Sequence, residues 1–248
     1  MEKEFFIANK WLFEEAQKTS LNPQPIDDAL FCIQRNSHQS PLYIGTGHLP
    51  FNSSTTTSLV NDKYSCRLVL QYNQLPNIPF WRPDQSSWSD FWQQNHPVVA
   101  KPVYGSRSRG IHLLEKETDR NELDLNIDYI YEKFVDGMEW RVVVFYDQIL
   151  TIHQKQYEQA INVAGENHRV ALAKQDWPTE IIEISLKTAR SFGLNYGAID
   201  FIWPKNQQPL ILELNACPGI YKLRHPDEGE GVYIAPLLIV KIKSEFLS

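Results

Sequence analysis

The chain is poor in cysteine, in positive charge and in long apolar runs, and each shortage excludes a class of protein. Three cysteines in 248 residues, Cys32, Cys66 and Cys217, are neither even in number nor closely paired, which excludes a disulfide framework or a structural zinc site and fits a reducing cytosol. Lys and Arg number 24 against 30 Asp and Glu, a net charge of −6, so no overall field draws in nucleic acid or anionic lipid. The longest apolar stretch, Ile234 to Val240, is broken by Pro236 and falls far short of the ~20 residues that span a bilayer. The acidic start Met1-Glu2-Lys3-Glu4 lacks the basic region of an export signal. Repeats, low-complexity tracts, HExxH and paired-histidine metal spacings are absent too. The expectation is a cytoplasmic protein without membrane or nucleic-acid partners.

What is present is an interleaving of helix and strand signals without regular βαβ alternation, which predicts an α+β fold. Helical spacing covers Phe5 to Gln17, and Asp62 to Tyr72, where Tyr64, Leu68 and Tyr72 would share a face. A polar, proline-spotted connector runs from Leu75 to Pro97, and its Trp81, Trp88 and Trp92 are read as pinning it to the core. Strands are expected at Val98 to Lys101, Ile111 to Leu114, Tyr129 to Phe134, Trp140 to Tyr146 and Ile149 to His153, with a tight turn at Asp147-Gln148. A helix follows in which Ile182, Leu186 and Ala189 share a face, Thr179 is the N-cap and Gly193 supplies the stop. The strands Tyr196 to Trp203 and Leu210 to Asn215 flank a polar loop.

Asp200 and Glu213 lie symmetrically about that loop, so a hairpin of matching register sets them directly opposite. Opposed residues of antiparallel strands have Cβ atoms about 4.5–5.5 Å apart and face one way, and Asn215 joins that face. Two carboxylates so placed repel by roughly 3 kcal/mol at an effective dielectric of ~20, before any desolvation by their apolar neighbours. A generic acid pair escapes this by facing solvent; here the adjoining Asn215 and Pro218-Gly219 argue for a ligand. An all-oxygen set suits Mg²⁺, which takes one or two carboxylates and completes its shell with water and phosphate. A glycosidase pair would need a protonated acid and a saccharide cleft, neither of which is identified.

Lys101 ends an apolar strand and precedes Gly105-Ser106-Arg107-Ser108-Arg109-Gly110, a flap whose backbone N–H groups, hydroxyls and guanidinium groups suit phosphate. Gly110 is followed by Ile111-His112, so this is not a Walker A loop. Lys63, at a helix start, would be an ordinary solvated lysine if taken alone. His153 reads as a packed or hydrogen-bonded residue, not a base, and Cys217 as a small residue in a slot that Ala or Ser would fill.

Read together and in order, Asn61-Asp62-Lys63, Val99-Ala100-Lys101-Pro102 with its glycine loop, Tyr131-Glu132-Lys133-Phe134 through Gly137-Met138-Glu139-Trp140-Arg141, Asp200, and Glu213-Leu214-Asn215-Ala216-Cys217-Pro218-Gly219 resemble the ATP-grasp ligases. Tyr43-Ile44-Gly45-Thr46-Gly47, Thr55-Thr56-Thr57-Ser58 and His225-Pro226 carry a finer similarity to the cores of cyanophycin synthetase and bifunctional glutathione synthetase. The resemblance implies two α+β lobes sandwiching ATP, with residues 1–60 a shortened N-terminal region, 61–131 the small lobe and 132–248 the large one. By that similarity Lys63, Lys101 and the flap residues Gly105, Ser106, Arg107, Ser108 and Gly110 hold phosphates. Glu132, Lys133 and Phe134 meet the adenine, and Glu139 the ribose. Asp200, Glu213 and Asn215 bind Mg²⁺, two ions by similarity and with Mn²⁺ as a substitute, while Arg141 and Lys155 face an acyl phosphate. The implied activity joins the carboxylate of an amino acid or short peptide to an amine, releasing ADP and phosphate.

The chain departs from the family in three places. About 60 residues precede Lys63, fewer than the N-terminal domain of full-length relatives, so a second copy or a partner protein is an expected substitute. Lys155 stands where those cores show an arginine and cannot make the same bidentate phosphate contact. The Gly-Asp-Gly turn is replaced by Gly165-Glu166-Asn167. The rival readings are a nucleotide-binding regulatory subunit without turnover and a small-molecule kinase. The connector and Gln156 to Arg169 are expected to shape the substrate entrance.

Overall fold

Two antiparallel sheets carry the residues singled out above, and a computed structural model describes residues 2–34, 40–105, 109–156 and 168–246. Helix α1 (Glu2–Gln17) leads into a short sheet of β1 (Gln24–Pro25), β2 (Phe31–Ile33) and β3 (Leu42–Ile44). Helices α2 (Ser54–Asn61), α3 (Lys63–Tyr72) and α4 (Trp88–Asn95) precede a second sheet, ordered β5-β4-β6, of β4 (Val98–Pro102), β5 (His112–Leu114) and β6 (Tyr129–Lys133). The chain then forms β7 (Met138–Phe145), β8 (Gln148–Gln156), β9 (His168–Ala171), α5 (Thr179–Phe192), β10 (Tyr196–Trp203) and β11 (Leu210–Asn215), and ends with α6 (Tyr221–Arg224) and α7 (Ala235–Phe246). The large sheet has the order β11-β10-β7-β8-β9, antiparallel throughout, and the α+β expectation holds.

Local chemistry fixes the helix ends. Asp62 closes α2 with its backbone N–H and opens α3 by accepting from Ser65 N at 2.9 Å, so one residue serves both helices. Gly193 ends α5 in the left-handed region, φ 64°, as expected. Thr179 is not the N-cap: it is the first helical residue, and Pro178 precedes it without a side-chain cap. The β7–β8 turn is Tyr146-Asp147, with Tyr146 at φ 53°, one residue earlier than Asp147-Gln148, because Gln148 already pairs with Phe145.

One face of the large sheet, including Val142, Ile152, Ile199 and Phe201, is sealed by α2, α3 and α5. The other face is divided. Val143, Phe145, Tyr196 and Ala198 lie under α1 and α7, where Leu12, Leu238 and Ile242 are fully buried, each worth about 1.5–3 kcal/mol of transfer free energy. The rest of that face carries charge. Helix α1 therefore packs on the large sheet, and α3, expected in the small lobe, gives Cys66 and Leu70 to the large sheet's core.

The buried face of α3 is Cys66, Arg67 and Leu70, not the Tyr64, Leu68 and Tyr72 stripe; Tyr72 is 87% exposed. On α5 the buried residues are Ile181, Ser185, Thr188, Ala189 and Phe192, so of the expected face Ala189 is buried while Ile182 is partly so. The connector contains α4, and its three tryptophans pack under the small sheet as expected, with the Arg120 guanidinium 4.6 Å from Trp81 and 4.8 Å from Trp88. Among the described residues no helix is long and apolar enough to cross a membrane.

Candidate active site

The divided face of the large sheet builds the site from cross-strand register. Residues paired across antiparallel strands share a face, and β8, β7, β10 and β11 align His153, Arg141, Asp200 and Glu213 in one row. A parallel row joins Arg169, Lys155 and Glu139, and a third places Asn215 beside Ala198. The Asp200–Glu213 pairing holds, but the hairpin is not symmetric. Phe201 pairs with Ile211 and Ile202 with Leu210, so Leu212 is the extra residue of a β-bulge on β11, a strand at the sheet edge.

Asp200 is buried and bidentate to Arg141, with Nε donating to Oδ1 at 2.7 Å and Nη2 to Oδ2 at 2.6 Å, and Oδ2 also accepts from Lys155 Nζ at 2.7 Å. Burial alone would raise the Asp200 carboxyl, but the two cations hold it well below the usual carboxylate range. Burial, reinforced by repulsion from Arg141, pulls Lys155 below the ordinary lysine value despite Asp200 and Glu139. Glu139 Oε2 lies 3.5 Å from Lys155 Nζ. Glu213 contrasts with its opposite number: its side chain is 47% exposed, with Oε1 3.9 Å from Lys63 Nζ. Lys63 Nζ donates to Gly105 O at 2.8 Å, which brings the helix start to the glycine loop.

A second cluster lies across the small sheet. Lys101 Nζ donates to Glu132 Oε2 at 2.7 Å and Arg67 Nε to Oε1 at 2.6 Å. Burial would raise the Glu132 carboxyl, yet the two cations bring it down to about 2. Of the linker Glu132 to Phe134, expected to meet the adenine, the Glu132 side chain is thus turned onto Lys101 and Arg67. Lys133 and Phe134 are held by their backbones, with N–H groups donating to Pro79 O and Pro97 O, each at 2.9 Å. Gly110 takes φ 70°, a left-handed conformation that suits glycine. Ser106, Arg107 and Ser108, and the Gly165-Glu166-Asn167 turn, lie outside the described residues.

The donor set admits a magnesium ion in a limited way. Among the described residues Asp200 Oδ1 accepts a single hydrogen bond, so a lone pair is left, and half-exposed Glu213 faces the same side. Asn215 Oδ1 accepts from Cys217 N at 2.9 Å and keeps its second lone pair. Among the described residues no three acidic, histidine or cysteine side chains form a cage, so an ion here fits with phosphate oxygens completing its shell.

Sequence reasoning missed Arg67 because it assigned the opposite face of α3 to the core. It saw His153 as packed or hydrogen-bonded, and the residue is fully buried, but among the described residues neither ring nitrogen has a hydrogen-bond partner. Burial, with Arg169 and Arg141 adding to it, pulls its pKa down to about 4. Cys217 Sγ donates to Thr46 O at 2.9 Å and burial pushes the thiol up to about 11, in keeping with a packing role.

Comparison with known proteins agrees with this fold. A RimK-like ATP-grasp domain profile matches residues 60–239. A D-alanine–D-alanine ligase of Clostridium botulinum is 24% identical over 194 residues, 72% of this chain and 62% of that protein. The chain spans about three-fifths of the length of the curated relatives it matches first, 62% and 58% of the leading two. A bifunctional glutathione synthetase from Pasteurella multocida superposes with a TM-score of 0.69 at 12% identity, covering 97% of this chain and 44% of that one. The ATP-grasp ligase PsnB, solved with a minimal precursor, Mg and ADP, gives 0.62 at 20% identity, covering 78% of this chain and 61% of that one. At these identities the structural matches speak for the fold.

Proposed function

The chain belongs to the RimK-like ATP-grasp family, and from that premise we propose that it is the catalytic core of an ADP-forming carboxylate–amine ligase acting on an amino acid or short peptide. In that reaction a carboxylate oxygen takes the γ-phosphoryl group of ATP, giving an acyl phosphate and ADP. An amine nitrogen then attacks the acyl carbon, the C–O bond to phosphate breaks, and the amine loses a proton as the amide forms. The observation that carries the reading is the Asp200–Glu213 pair, opposed on one face with Lys63 beside Glu213 and with Arg141 and Lys155 on Asp200.

In this reading Lys63 and Lys101 hold phosphate oxygens, each with ammonium hydrogens left after its internal bond. Magnesium, held by Asp200, Glu213 and Asn215, supplies neutralisation of phosphate charge. Arg141 and Lys155 set a positive floor beneath the reacting carboxylate, and their bonds to Asp200 fix them before substrate arrives, which suits a reaction governed by positioning and electrostatics. The large-lobe boundary near residue 132 and the adenine role of the Lys133–Phe134 backbone belong to the same proposal, as does the finer kinship with glutathione synthetase and cyanophycin synthetase cores.

The test is ADP and phosphate release from Mg·ATP against pooled amino acids and dipeptides, with mass spectrometry of the products. Amine-dependent ADP release with a product lighter by one water than its two precursors is expected. A phosphorylated small molecule would replace this reading with a kinase, and tight ATP binding without turnover on any pool would replace it with a regulatory subunit.

A further inference from the structure

Arg67 is 3% exposed, lies one helical turn beyond Lys63 on α3, and spends its guanidinium on three different segments. Nε donates to Glu132 Oε1 at 2.6 Å, and Nη1 donates to Asn77 Oδ1 at 3.1 Å and to Ile211 O at 2.6 Å. Nη2 donates to Leu212 O at 2.8 Å. Leu212 is the bulge residue of β11, a sheet edge met at Ile211 by an isolated bridge to Asn77, and among the described residues no named strand pairs with that edge, so the Arg67 guanidinium supplies donors to these two carbonyls. Asn77 is itself anchored, its Nδ2 donating to Arg67 O at 2.9 Å. A continuous chain of bonds therefore runs from the backbone immediately before Glu213, through Arg67 and Glu132, to Lys101 Nζ.

We propose that Arg67 is a positioning residue for nucleotide phosphates: through Glu132 it fixes Lys101 Nζ, and through Ile211 and Leu212 it sets that ammonium at a constant offset from Glu213. This rests on the reading that Lys101 contacts the phosphates. An arginine is required because a planar fork with five donors serves a carboxylate and two carbonyls at once, whereas a lysine ammonium is a single point. Lys101 keeps two ammonium hydrogens after its bond to Glu132, so the same cation that Arg67 orients stays able to bind.

The test is a double-mutant cycle on the full chain, with Mg·ADP affinity measured by calorimetry for wild type, Arg67→Lys, Lys101→Met and the double variant. Thermal unfolding is followed in parallel. Arg67→Lys is expected to weaken Mg·ADP about tenfold in the wild-type background and to have no further effect once Lys101 is Met, since coupled neighbours are not additive. Equal weakening by Arg67→Lys in both backgrounds would mark a purely structural arginine and overturn the proposal while leaving the site reading intact. Unchanged affinity in Lys101→Met would instead overturn the phosphate role of Lys101, and the proposal with it. Should Arg67→Lys not fold, Asn77→Ala takes its place in the cycle, with the same non-additivity expected at about threefold.

Discussion

Glu132 and Asp200 are two buried carboxylates, each gripped by an arginine and a lysine, yet they end in different surroundings. Around Glu132 the bonding closes on itself: Arg67's other donors go to Asn77 and to the carbonyls of Ile211 and Leu212. Around Asp200 it stays open, because the carboxylate that faces it across the strand pair, Glu213, is half exposed. The same ion-pair chemistry thus makes a tie between the two sheets in one place and a candidate reaction floor in the other. What distinguishes them is the half-exposed carboxylate that faces Asp200, not the depth of burial or the depressed acidity, which they share.

The comparison breaks most visibly under charge removal. Asp200→Asn and Glu132→Gln each strand two buried cations and should each lower stability by about 3–5 kcal/mol in urea unfolding. Their kinetics should part: Asp200→Asn is expected to abolish turnover, while Glu132→Gln raises KM for ATP more than it lowers kcat. Next in size, Glu213→Gln should abolish turnover yet shift stability by no more than about 0.5 kcal/mol, because the side chain is half solvated. That pairing of outcomes would separate the open cluster from the closed one.

Acid sensitivity sharpens the contrast at a smaller scale. His153 stays neutral in the fold down to about pH 4, whereas an unfolded chain protonates it near 6.5. The unfolded state therefore binds more protons in that window, and stability falls as pH drops, by about 2 kcal/mol between pH 7 and 5. Glu132 acts with the same sign in a lower window: its folded pKa is lowered, so its contribution is complete above the ordinary carboxylate range and is lost as pH falls toward about 2. Urea titrations of His153→Leu at pH 7 and 5 should show the slope removed, with the Glu132 contribution untouched.

Much of the large sheet was legible because its strands combine β-branched runs with polar loops; Tyr196 to Trp203 and Leu210 to Asn215 were read to the residue. The facing of Asp200 and Glu213 was also read, through a symmetry that the bulge at Leu212 breaks on the loop side of the pair. Arg67 was illegible for a physical reason. Its partners lie 65 residues away at Glu132 and more than 140 away on β11, and an apolar-looking tyrosine stripe on the same helix pointed to the wrong face. Strand β9 and helices α2 and α7 went unread because tertiary packing, rather than a distinctive local pattern, selects them. Lys155 was visible as a residue but not as a buried one, since burial depends on Asp200 and Glu139 arriving from other strands.

The bulge on β11 also has an engineering consequence. Since Leu212 absorbs one residue of register below the Asp200–Glu213 pair, the exposed hairpin loop at Lys205, Asn206, Gln207 and Gln208 is insulated from the alignment above it. The pair's register is set by Ile199 opposite Leu214 and Ala198 opposite Asn215, on the far side of the bulge from the loop. The loop tip is accordingly a natural insertion point, where a tag or a reporter can be spliced without re-aiming a single carboxylate.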